Sequence, residues 1–254
     1  MVFSFQDDTL GTKENIPLQA IFFDLDDTLC ATSQFSTQAR LDALKAMVKI
    51  GLKMDIESLT AELKELIEEF TSNYSQHFDK LLLRIPESSY HGINKAILVA
   101  AAVAAYHDAK HNYLKPYPDV LDFLKYIETL PMLKGIITDG LEVKQAEKLI
   151  RLGIYTYFHP QAIFISDQIG FSKINHKAYI HICKSLGLIP QKTMYIGDHP
   201  QKDIDSANQA GLISVRIRRE GKYKNLESKT KARHEVESLE ELKEILERDY
   251  RLKG

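Results

Sequence analysis

The sequence predicts an α/β protein: a mostly parallel, Rossmann-like sheet with helices on both faces, interrupted by an inserted all-helical domain. Three observations predict it. Short apolar runs bounded by turn residues alternate with stretches of helical period, the signature of strand–helix–strand crossovers. One long block, from about residue 33 to 114, keeps helical period without any strand signal. Four of the five apolar runs also lead into acidic, hydroxyl or lysine side chains, at the strand ends where open parallel sheets bind ligands.

Residues 1–17 are polar, close with Pro17 and read as a tail. With Asp7 and Asp8 early and no long apolar core, the segment does not read as a signal peptide. Leu18–Asp24 is rich in Ile and Phe and ends in acid, which reads as a buried parallel strand. Leu41, Leu44, Met47 and Val48 then mark a helix ending near Gly51, and Ile56, Leu59, Leu63, Leu66, Ile67 and Phe70 a second. Asn94–Tyr113 reads as an alanine-rich helix. Its run Ala96–Tyr106 is too short to span a membrane and reads as a buried helix.

Past Pro116 and Pro118 a helix carries Val120, Leu121, Leu124 and Ile127. Gly135–Thr138 is the second strand, and Val143, Ala146, Leu149 and Ile150 stripe the helix that runs to Gly153. Ala162–Ile165 is the third strand, followed by a helix with Ala178, Ile182 and Leu186. Met194–Gly197 is the fourth, followed by a helix over Ile204–Ala210. Ser214–Ile217 is the fifth. The last helix opens at Ser238 with Glu241 three residues on, a capping-box spacing. The expected division is a tail at 1–17, an α/β core at 18–32 and 115–254, and a helical domain at 33–114.

A net charge of -2 and a pI near 6.5 lack the basic footprint of a nucleic-acid binder, whose domain pI usually exceeds about 9. No apolar stretch reaches the roughly 18 residues of a membrane span. Cys30 and Cys183 form no CxxC pair and read as reduced, which suits a cytoplasmic protein. Cys30 lies near the first acidic motif and could be reactive, but a small buried side chain is the better reading.

The chemistry gathers at the strand ends. The first run leads into Asp24-Leu25-Asp26-Asp27-Thr28, the second into Thr138-Asp139-Gly140, the third into a loop with Lys173, and the fourth into Asp198 with Asp203 beyond. Carboxylates clustered at one rim repel one another unless a cation sits among them, and magnesium suits carboxylates plus phosphate oxygens. A carboxylate can attack phosphorus, and a second acid can protonate the leaving alkoxide and then activate water. A lysine and a threonine can hold phosphoryl oxygens, and the helix start after Gly140 offers backbone N–H groups. Asp27 and Thr28 read as turn-shaping. Asp139 reads as contributing backbone more than carboxylate, and Lys173 is favoured over Lys177 and Lys184 by its spacing from the third run.

These motifs resemble those of the haloacid dehalogenase superfamily, subfamily I with a C1-type helical cap, over about residues 18–246. The matching segments are DLDDTL, ITDG, GFSKINHKAYI and the run Gly197–Asp203; Ile174 stands where the family often has proline. By this resemblance Asp24 is the nucleophile and Asp26 the general acid/base. Thr138, Asp139 and Lys173 bind phosphate, Asp24, Asp26 and Asp198 hold Mg2+, and Asp203 supports the metal site or orients the lysine. The block at 33–114 is the cap.

The implied function is Mg2+-dependent hydrolysis of a small phosphorylated metabolite through an aspartyl-phosphate, by a monomer or homodimer. A phosphomutase or a haloacid dehalogenase is the nearest alternative, although dehalogenases lack the second acid that Asp26 supplies. A non-catalytic phosphate-binding protein on the same fold is the other. His199 reads as packing, His77, His91 and His107 as helix surface, and Arg218 and Arg219 as salt-bridging. No motif names the substrate.

Overall fold

The computed structural model describes residues 17–253, so of the tail read at 1–17 only Pro17 lies among them. In chain order the longer elements are β1 (Ala20–Phe23), α1 (Thr32–Ile50), α2 (Ile56–Phe70), α3 (His77–Arg84), α4 (Lys95–Tyr113), α5 (Val120–Glu128), β2 (Leu133–Thr138), α6 (Glu142–Arg151), β3 (Ile163–Ile165), α7 (Ser166–Ile169), α8 (Lys177–Ser185), β4 (Thr193–Gly197), α9 (Ser206–Gln209), β5 (Ile213–Ile217), β6 (His234–Val236) and α10 (Leu239–Asp249). The six strands form one sheet in the order β3-β2-β1-β4-β5-β6, and every pairing is parallel.

β1 lies inside the sheet, with Phe23 opposite both Ile136 and Ile196. Its side chains alternate between two cores, as a strand's must. Ile21 and Phe23 join Phe123, Phe158 and the α10 residues Leu239, Leu242 and Leu246. Ala20 and Phe22 join Tyr179, Ile182 and Tyr195 on the other face. A parallel sheet needs cover on both faces because its strands carry apolar residues on both. Between β1 and β2 the helices α1–α4 bury Leu44, Met47, Leu59, Leu63, Leu66, Leu81 and Leu98 in a cluster of their own. Each such side chain contributes about 1.5–3 kcal/mol of burial.

Three elements differ from the sequence reading. β6 is an additional edge strand of three residues, His-Glu-Val, recruited by hydrogen bonding to β5; it has no apolar run to announce it. α4 buries Leu98, Ala102 and Ala109 on one face, while Ile97 is 53% exposed, so it is half-buried rather than buried all round. α6 is rotated from its expected stripe: Gln145 and Leu149 are buried, whereas Val143 is 78% and Ile150 60% exposed.

At the base of α5, Asp119 accepts two 2.8 Å bonds from the Arg219 guanidinium, which also lies over the Tyr117 ring. Asp119 further accepts the Leu239 amide at the start of α10, so one carboxylate ties α5, α10 and the chain after β5. Burial alone would raise the Asp119 pKa, but the bonds from Arg219 and Leu239 outweigh it and hold the carboxyl below its usual range.

Asp119→Asn should lower stability at pH 7 by about 1–3 kcal/mol, measured as a shift in the urea midpoint. A carboxyl whose folded pKa lies below its unfolded value contributes fully above the unfolded pKa, about 4, and loses that contribution as pH falls through the folded value. The gap between wild type and variant should therefore close below about pH 4.

Candidate active site

The register brings the ends of β1, β2 and β4 to one rim. Asp24 follows β1 directly, and its amide donates to the Ile196 carbonyl of β4 at 2.8 Å. Thr138 ends β2, and Asp198 follows Gly197 at the end of β4. The Asp24, Asp198 and Asp203 side chains are all buried and offer carboxylate oxygens within 4.8 Å of one another. Lys173, from the loop after β3, reaches into this group and lies 2.8 Å from Asp24 and 2.6 Å from Asp203.

The ammonium also donates to the Tyr195 hydroxyl at 3.1 Å, which in turn donates to the Ile137 carbonyl at 3.0 Å. The second Asp203 oxygen accepts the His199 amide at 2.9 Å. With the Tyr195 hydroxyl also 3.1 Å from its first oxygen, Asp203 is held among lysine, tyrosine and backbone.

Three buried carboxylates face one ammonium. Burial raises the pKa of Asp24 to about 7: Lys173 pulls it down, and Asp203 and Asp26 push it up. Burial, then Asp203 and Asp24, push Asp198 up to about 9. Lys173 stays protonated because Asp203 and Asp24 outweigh its own desolvation. Carboxyls held this high are hard oxygen donors that give up their protons to a small divalent cation such as Mg2+, so the set fits that ion. The buried Thr138 hydroxyl, in the same cavity of about 560 Å³, has no hydrogen-bond partner among the described residues. A phosphoryl oxygen would satisfy it.

Asp26 stands apart. Its carboxylate accepts from Thr32 at 2.6 Å, Lys148 at 2.5 Å and Gln145 at 3.0 Å. Burial would raise its pKa, but the Lys148 charge and these three bonds hold it low. This explains the rotation of α6: Gln145 and Lys148 face the acid, leaving Val143 to solvent.

The decisive observation on descent is the match of residues 21–217 to the family model for haloacid dehalogenase-like hydrolases. The chain is a haloacid dehalogenase-like hydrolase. It is 46% identical over 215 residues to a glyceraldehyde 3-phosphate phosphatase from Methanopyrus kandleri, spanning 83% of this chain and 88% of that one. A protein of the same name from Methanocaldococcus jannaschii is 36% identical over 90% of this chain and 97% of its own.

Among solved structures, an HAD phosphatase from Thermococcus onnurineus superposes with a TM-score of 0.66 at 20% identity, covering 90% of this chain and 98% of that one. The HAD-hydrolase YfnB from Bacillus subtilis, bound to magnesium, gives 0.62 at 19% identity, covering 91% and 99%. At these identities the two show a shared fold.

In this hydrolase Asp24, Asp26 and Asp198, which the sequence reading grouped around the ion, all line the 560 Å³ cavity, and the carboxylates of Asp24, Asp198 and Asp203 lie within 4.8 Å of one another. Lys173 is buried, while its competitors Lys177 and Lys184 are exposed. The Asp139 carboxylate does more than its sequence reading allowed. It accepts the Lys173 amide and the Ser172 hydroxyl, both at 2.9 Å, and Lys202 at 3.0 Å, so it pins the loop that carries Lys173.

His199 packs on Tyr223 and caps the following turn through Nδ1. Asp27, at φ 55°, accepts the Ser33 amide and shapes the turn. Arg218 and Arg219 are salt-bridged, as read. His77 and His107 line a cleft beneath the helical layer, and His91 is exposed. Cys30 is buried and its thiol is pushed up to about 12 by desolvation and Asp26, so it stays an inert packing group.

Lys148, Gln145 and Tyr195 escaped the sequence reading. Polar residues on a helix read as solvent-facing, and only the buried Tyr195, inside an apolar strand and needing a partner for its hydroxyl, offered a signal.

Gly197 shows how tightly the rim is built. A Cβ there would lie 2.4 Å from the Asp203 carboxylate. Gly197→Ala should displace Asp203 and loosen Lys173, costing about 1–3 kcal/mol as an overpacked site and lowering activity more than tenfold. Urea unfolding and phosphate release would measure the two effects.

Proposed function

We propose that this hydrolase is a Mg2+-dependent phosphatase acting on a small phosphomonoester through an aspartyl-phosphate on Asp24. The observation that carries the reading is the convergence of two buried carboxylates, Asp24 and Asp198, one buried ammonium and an orphaned threonine hydroxyl on a single cavity, with the buried Asp203 carboxylate within 4.8 Å of both acids. The relatives at 46% and 36% identity support glyceraldehyde 3-phosphate as the substrate; a cytoplasmic location belongs to the same proposal.

The Asp24 carboxylate attacks phosphorus in line with the ester oxygen, and the phosphorus–oxygen bond to the leaving group breaks. Thr138 and Lys173 hold the phosphoryl oxygens as charge shifts onto them, with Asp139 fixing the lysine's loop. Asp26 gives a proton to the departing alkoxide. It then takes one from the water that attacks the phosphoenzyme, releasing phosphate and restoring Asp24. Held by Lys148, Thr32 and Gln145, Asp26 is charged; to act as the acid it must leave that hold and take up a proton. Asp24 and Asp198 would bind the ion, with Asp203 behind them and Asp26 beside. Mg2+ when bound neutralises the cluster and polarises the phosphoryl group. Helices α1 and α2 contribute Ser36, Arg40 and Ile67 to the cavity wall, and their closing over bound substrate would exclude bulk water.

The test is phosphate release from glyceraldehyde 3-phosphate by protein stripped with EDTA, before and after adding Mg2+. Activity should appear only with the metal. Mg2+ should also raise the unfolding temperature, more at pH 8 than at pH 5, where protons compete for the same carboxylates. Asp198→Asn should abolish that rise. Full activity in EDTA would remove the metal from the reading.

A further inference from the structure

The cleft between the helical layer and the sheet rim is large, about 920 Å³, and rich in cations. Most of these are already matched: Lys148 with Asp26, Lys202 with Asp139, and Lys110 and Arg151 with Glu147. Arg40 differs. Among the described residues no hydrogen bond or salt bridge engages its guanidinium; burial depresses its pKa, and the Tyr106 hydroxyl offsets that only in part. Lys144, which lines the same cleft, donates to the Asn73 carbonyl at 3.4 Å.

Position gives Arg40 its meaning. Thr32, Ser36 and Arg40 lie four residues apart on α1 and therefore on one face, and all three line both the 920 Å³ cleft and the 560 Å³ cavity that holds Asp24. Thr32 holds Asp26, the group placed to protonate the leaving oxygen. Arg40 is two turns further on, about 12 Å along the axis. The Cα–Cβ bonds of a helix tilt toward its N-terminus, which in α1 is the end where Thr32 holds Asp26. A leaving group that departs past Asp26 runs along this stripe.

We propose that Arg40 is a specificity-determining residue, which binds a hydroxyl or carbonyl oxygen on the leaving group of the phosphoester. The assignment rests on the phosphoester reading above and deepens it. A guanidinium with no internal acid presents several donors and no acceptor. It selects leaving groups that carry acceptor oxygens over plain alkyl chains.

Two non-hydrolysable phosphonates of equal length separate the possibilities: 3-hydroxy-4-oxobutylphosphonate, which mimics glyceraldehyde 3-phosphate, and butylphosphonate, which lacks the oxygens. Affinities are measured by calorimetry in Mg2+ for the full chain, Arg40→Met and Arg40→Lys. Wild type should favour the oxygenated compound about tenfold or more, the scale of a charge-assisted hydrogen bond. Arg40→Met should bring the ratio within about twofold, and Arg40→Lys should keep part of it.

An unchanged ratio in Arg40→Met, or an equal loss for both compounds, overturns the assignment. Wild type that binds neither phosphonate overturns both it and the phosphatase reading. Wild type that shows the preference but releases no phosphate from glyceraldehyde 3-phosphate overturns only the latter.

Discussion

Asp24→Asn should reduce kcat by about four orders of magnitude or more, the scale seen when a covalent nucleophile is removed from an otherwise intact site. The amide keeps the shape of the carboxylate and can still meet Lys173, so the fold should persist. Its melting temperature should match or exceed that of wild type. The sign follows from Asp24's raised pKa: a carboxyl harder to ionise when folded destabilises the protein as pH rises from its unfolded value toward the folded one. Removing that charge relieves the fold at neutral pH, an expected trade between stability and activity. Acid-quenched enzyme should carry labelled phosphate in the wild type and none in the variant. A variant that retained near-wild-type turnover would exclude Asp24 as nucleophile.

Lys173→Met should be the most damaging single change to the fold of this site. It leaves Asp24 and Asp203 buried without their shared counter-charge, and breaking a buried pair in this way costs about 3–5 kcal/mol. Part of the loss should be recovered at pH 5, where the carboxyls can take up protons. Activity should fall about a hundredfold to a thousandfold as well, since the same ammonium faces the phosphoryl oxygens. Urea unfolding at the two pH values, with phosphate release at neutral pH, reads both effects. Stability equal to wild type would mean that the acids are already neutral without the lysine.

The strand ends were legible because a buried parallel strand must be apolar, so an acid directly after one stands out, as Asp24 and Asp198 do. Lys173 was legible through its spacing from the third run. The partners of Asp26 were not. Lys148 and Gln145 sit on α6 among Val143, Ala146 and Ile150, and periodicity assigns the apolar residues inward. The demand of a half-buried carboxylate for donors turned the helix the other way, which only tertiary contact can show. β6 was hidden for a similar reason, since its strand character comes from hydrogen bonds to β5. Arg40 gave no sign in the sequence either, because a lone arginine on an amphipathic helix is ordinary until its lack of a partner is seen.

The position of β1 within the sheet also bears on how the chain is made. Its two neighbours, β2 and β4, come from much later in the sequence, whereas α1–α4 bury most of their apolar residues against one another. During synthesis the helical layer can condense while the strand that carries the nucleophile still waits, its edges open, for β4 to emerge. Pairings so distant in sequence assemble slowly, which makes the nucleophile strand the segment most exposed to wrong partners at birth.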